Sequence, residues 1–102
     1  MHTKSPLLLR LMARLGELDF EERFIPTENK RYVYGQTDYE GIIYVNPVPH
    51  IVDTILHECL HEQFPHYAEH AVCSLTGKLM RQLSDEDLKA IYAEFKRKVD
   101  GD

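Results

Sequence analysis

The 102-residue sequence contains no tryptophan, two cysteines and five glycines. Two cysteines cannot make a disulfide framework, so stability has to come from a packed core. Both Cys59 and Cys73 fall within helical patterns, where a thiol is expected to be buried as a small hydrophobe, and their scarcity points to a cytoplasmic setting. Basic residues are also in deficit, 12 against 17 acids for a formal charge of −5. That balance argues against nucleic acid as a partner, because phosphate binding rests on clustered Lys and Arg. No stretch approaches the roughly 20 apolar residues that a membrane span needs. The run Leu7-Leu8-Leu9-Arg10-Leu11-Met12-Ala13-Arg14-Leu15 is interrupted by arginine one helical turn apart, so it reads as an amphipathic helix and not as a leader. No membrane partner is expected.

What the chain does have is a composition 43% apolar and 28% charged, that of a single folded domain over residues 1–102. Ser5-Pro6 supplies an N-cap and a first-turn proline, and Gly16 a stop, which predicts a helix over about 6–15 with Leu8, Leu11, Met12 and Leu15 on one stripe. From Phe20 to Pro47 the residues become β-rich. Phe24-Ile25 is a short candidate strand, and Arg31–Tyr34 with Ile42–Val45 predict an antiparallel hairpin whose loop runs from Gly35 to Gly41. Asn46-Pro47-Val48-Pro49 ends the sheet. A second helix follows from about Pro49 and stops by Phe64, because Pro65 cannot continue it. A third is expected over about 67–82, burying Ala71, Val72, Leu75, Leu79 and Met80. The fourth opens with Ser84-Asp85-Glu86-Asp87, a capping-box-like start, and turns Leu88, Ile91, Tyr92, Phe95 and Val99 inward. The expected fold is α+β: a small antiparallel sheet, a hairpin that a third strand can join, packed on the second helix, with one helix before it and two after.

The second helix carries His57-Glu58-Cys59-Leu60-His61. Residues four apart lie one turn above each other, so both imidazoles project from one face toward a common point. Val52, Ile55, Leu56, Cys59 and Leu60 take the opposite, core side; His50 and Asp53 share the histidine side. With six histidines and ten glutamates in the chain, a chance H-E-x-x-H has a probability of about 3%, so the motif and its apolar setting point to metal-ligand spacing more than to an ordinary wet helix face.

This stretch resembles the zincin metallopeptidases, and more specifically small phage and prophage proteins of the gluzincin type. The resemblance covers about residues 42–80: Tyr44-Val45-Asn46-Pro47, then Val52 to His61 with the motif, then Phe64-Pro65, then Glu69 before Ala71-Val72. It differs at Glu62-Gln63, where the family usually has uncharged residues and this chain places the Glu62 carboxylate. The resemblance implies a minimal zincin-like fold and a zinc ion (Zn2+) held by His57, His61 and a third ligand, Glu69, with His66 and His70 as alternatives. It implies a peptide or protein substrate, cleaved with Glu58 as the general base. Tyr67, Tyr92, His66 and His70 are candidates for stabilising the transition state, Asp53 for orienting a histidine, and the strand Ile42–Val45 or its partner for pairing with an extended substrate. The other expectation is a non-catalytic, zinc-stabilised accessory or interaction protein on the same scaffold.

Overall fold

A computed structural model describes residues 3–101. Four helices and a three-stranded mixed sheet make a small α+β fold, in the order α1 (Pro6–Leu15), β1 (Asp19–Glu22), β2 (Gly35–Thr37), β3 (Ile42–Val45), α2 (Val48–Gln63), α3 (Glu69–Met80) and α4 (Asp85–Val99). Among the described residues, no helix is long and apolar enough to cross a membrane.

The sheet is not purely antiparallel as expected. Its order is β1-β3-β2: β2 and β3 form the antiparallel hairpin, and β1 joins the other edge of β3 in parallel, Asp19 beside Ile42 and Glu22 beside Val45. The hairpin is also displaced along the chain from Arg31–Tyr34 to Gly35–Thr37. Asp38 is the reason: its Oδ1 accepts from the amides of Glu40 (2.7 Å) and Ile42 (2.9 Å), while its own amide bonds the Ile42 carbonyl. Those bonds close the turn within residues 38–41, with Tyr39 and Gly41 at positive φ, so pairing starts at Thr37. Gly35 is thereby drawn into a strand, where a Cβ would stand 3.0 Å from the Tyr44 carbonyl oxygen.

Residues 23–34 form an irregular strap that contains no strand at Phe24-Ile25. Glu28 and Arg31 exchange two backbone bonds around Asn29 (φ 49°) and Lys30 (φ 63°), a two-residue turn with both central residues left-handed. Two polar anchors hold the strap to the helices: the Tyr32 hydroxyl donates to the Met80 carbonyl (2.8 Å), and the Thr27 hydroxyl donates to Asp85 (2.6 Å). Burial pushes the Tyr32 phenol above its ordinary pKa, helped by the neighbouring Tyr34 and Asp53, so it stays a donor.

The core is built mainly by the helices. Val48 and Val52 of α2, Met80 at the end of α3 and Leu88 of α4 form its buried centre, with Phe24, Tyr32, Leu56, Leu83, Ile91 and Tyr92 packed around it. Val72 is fully buried on α3, where Thr76 is also buried and satisfied by donating to the Val72 carbonyl. Ala71, Leu75 and Leu79 are only half-buried, and Val99 is exposed. The fourth helix has its capping box: Ser84 Oγ accepts from the Asp87 amide (3.1 Å) and Asp87 Oδ2 from the Ser84 amide (2.9 Å).

One residue joins sheet to helix. Asn46 is 1% exposed, and its side-chain amide donates to the carbonyls of Ile25 (3.1 Å) and Val33 (2.8 Å) while its Oδ1 accepts from the Val48 amide (3.2 Å). Its backbone amide bonds the Tyr34 carbonyl, extending the β2–β3 ladder by one residue. The direction in which α2 leaves β3 is thus set by a buried and fully used amide group.

α1 spans the expected residues, with Ser5 capping the Leu8 amide and Gly16 ending it. None of its residues is buried and it packs against no other element.

Candidate metal centre

His57 and His61 lie on one face of α2, as their spacing requires, with ring centroids 4.8 Å apart and planes at 70°. α3 crosses this face with its first residue, Glu69. One carboxylate oxygen reaches His57 Nε2 (2.7 Å) and the other His61 Nε2 (2.8 Å). Pro65 permits this arrangement. It ends α2 just beyond the motif, and the short connector through Ala68 brings the start of α3 back onto the histidines.

The histidine side chains are 20% and 31% exposed, the glutamate side chain 66%. The site is therefore a shallow one, rigid on the α2 side and open on the α3 side. Loss of solvation raises the Glu69 pKa, but the hydrogen bonds from His61 and His57 and the electrostatic attraction of the two rings outweigh it, leaving the carboxylate below its usual range.

The donor set suits a zinc-type ion. Two imidazole nitrogens and one carboxylate oxygen, all within 4.8 Å of one another, are N and O ligands of the kind that three-ligand zinc sites use.

Glu58 is exposed and engaged in no hydrogen bond or ion pair among the described residues, so its carboxylate is free. His66 and His70 are exposed, and neither stands with the pair of histidines as Glu69 does. Tyr67 stacks on Phe64 (centroids 4.7 Å, 11°) in the connector, while Tyr92 packs against the core. Asp53 is exposed and bonds to neither histidine, so the orienting contact expected of it is not made. Glu62 and Gln63 both face solvent.

The cysteines depart from expectation. Both are exposed. Cys59 continues the Val48–Val52–Leu56 stripe of α2, but the buried cluster covers only the first half of that helix, and by residue 59 the stripe has outrun it. Cys73 lies one turn after Glu69 and its thiol donates to Glu69 Oε1 (3.7 Å). Desolvation and the adjacent carboxylate push its pKa up, so it remains a neutral, weak donor. The four-residue spacing from Glu69 is the signal for this contact in the sequence; reading Cys73 only as a small hydrophobe passes over it.

Comparison of the chain with protein-family models, with curated proteins and with solved structures finds no match.

Proposed function

We propose that the protein is a minimal zinc-dependent metallopeptidase of the gluzincin type, with His57, His61 and Glu69 as ligands and Glu58 as general base. The observation that carries this reading is the bridging carboxylate: a glutamate from a different helix sets one oxygen against each histidine of the H-E-x-x-H motif. When bound, a zinc ion supplies Lewis acidity that polarises a carbonyl and makes water acidic enough to attack it at neutral pH. Glu58 takes the proton of the attacking water on its free carboxylate and returns it to the leaving amine. The half-buried histidines stay oriented by their packed helix, and Cys73 holds one oxygen of Glu69. The two exposed free thiols support a cytoplasmic setting, where thiols stay reduced.

A second reading has its own observation. The site is open around a Glu69 that is two-thirds exposed, with Glu62 and Gln63 on the solvent side, which suits a zinc-stabilised accessory or interaction protein without catalysis. Metal analysis with two variants separates the readings. Wild type purified without added metal is expected to carry about one zinc per chain, and His61→Ala none. Glu58→Gln should keep the zinc and lose hydrolysis of an unfolded protein substrate. Equal behaviour of Glu58→Gln and wild type would select the non-catalytic protein, and a wild type that takes up no zinc would remove both readings.

A further inference from the structure

α1 presents an unusual surface. Leu7, Leu8, Leu9, Leu11, Met12 and Leu15 are each between 43% and 61% exposed, so a complete amphipathic stripe faces solvent. An isolated ten-residue helix is marginal in water, since helices of this length are held mainly by tertiary packing of their apolar face. The molecule is loosely built: its radius of gyration is 17.3 Å, against about 13 Å for a compact chain of this size.

The sheet supplies a second uncovered surface. Phe20 of β1 and Ile43 of β3 are register partners, as are Glu22 and Val45, so Phe20, Ile43 and Val45 share one face. Phe20 is 54% and Val45 41% exposed there. An unpartnered helix stripe and an unpartnered sheet face are thus joined by three residues. The joint is ordered so as to hold them apart: the amides of Glu17 and Leu18 bond the carbonyls of Arg14 and Leu15, and Arg14 pairs with Glu17 across it.

We infer that α1 docks on the Phe20–Ile43–Val45 face of a second copy of this chain, which docks its own α1 in return. The reciprocal, two-fold arrangement covers both surfaces on both copies without disturbing the joint. Charge favours it as well. α1 carries Arg10, with Lys4 before it, and no acid, all 17 acidic residues lie after it, and Glu22 stands beside Val45 on the sheet face it would meet. The half-exposed Leu8, Leu11, Met12 and Leu15 of each helix and Phe20 and Val45 of each sheet face offer, over two copies, an area approaching the roughly 1,200 Å2 at the lower end of specific interfaces.

Sedimentation equilibrium of the full chain tests this. Wild type is expected to dimerise with rising concentration. Leu8→Glu/Leu11→Glu should remain monomeric, with circular dichroism lowered by no more than the ten residues of α1, because no other element of its own chain packs on that helix. With Cys59 and Cys73 replaced by serine, a Met12→Cys chain mixed with a Phe20→Cys chain should form a disulfide-linked pair under mild oxidation, and neither alone should. A wild type that is monomeric at every concentration overturns the proposal. So does cross-linking of the Met12→Cys chain to itself, which would place helix on helix, or flotation of a monomeric chain with phosphatidylserine vesicles through α1, which would make the occupant a membrane.

Discussion

Replacing Asn46 by alanine removes three hydrogen bonds at once from the joint between β3 and α2. The carbonyls of Ile25 and Val33 lose their donor and the Val48 amide loses its acceptor, in a place where the side chain is 1% exposed. A buried polar group left unpaired costs about 1–3 kcal/mol. Three such groups, eased by local relaxation and water entry, give an expected loss of about 3–5 kcal/mol, a large part of the roughly 5–15 kcal/mol that holds a domain together. Asn46→Asp sharpens the test because it keeps the shape and the acceptor for Val48 but sets a carboxylate against two carbonyl oxygens. That environment disfavours the charged form, so the folded-state pKa of the new carboxyl rises above its unfolded value of about 3.9. The sign follows: the deficit relative to wild type is full above the raised pKa and shrinks as pH falls through it, where the protonated acid can again donate to a carbonyl. Urea unfolding of wild type and both variants at neutral and mildly acid pH, with the slope checked for two-state behaviour, reads both effects. A loss below about 1 kcal/mol for Asn46→Ala, or an Asn46→Asp deficit that does not shrink in acid, would refute the reasoning.

Ser84→Ala breaks the capping box of α4 and should cost about 1 kcal/mol, seen as a lower midpoint in thermal unfolding. Asp38 is held below the ordinary carboxylate range by the amides of Ile42 and Glu40, so it contributes stability above its unfolded pKa that is lost as pH falls through the depressed value. The stability difference between wild type and Asp38→Asn should accordingly be greatest near neutrality and vanish in strong acid, which a pH series of urea midpoints will show. Zinc at a hundred times its dissociation constant should raise wild-type stability by about 2.7 kcal/mol, with chelator reversing the effect and His61→Ala showing none; differential scanning calorimetry measures it.

Helices were the most legible part of the sequence because their signals are local. Ser5-Pro6, Pro65 and the Ser84 box each act within one turn, and the helix ends fall within a few residues of where those signals put them. The histidine pair was legible for the same reason, since spacing by four fixes a shared face whatever the tertiary fold. The sheet was less so: Asp38 decides the register through side-chain bonds to its own turn, and the parallel pairing of β1 depends on residues more than 20 positions away. Phe20 and its neighbours read poorly as a strand because acids surround it, and only the ladder with β3 makes them one. Burial of Cys59 failed as an expectation because periodicity gives the direction of a side chain but not how far along a helix its cover extends.

The strand order also bears on time. β3 is both the centre of the sheet and the strand that runs directly into α2, while β1, synthesised earlier, has no partner until β3 exists. The β2–β3 hairpin closes locally and can form early, whereas β1 must wait for a contact of long sequence separation and is held along one edge only. It is therefore the strand expected to join the sheet last as the chain folds. Because α1 is tethered to it, the strand that pairs last and the most apolar free surface of the molecule belong to one N-terminal unit.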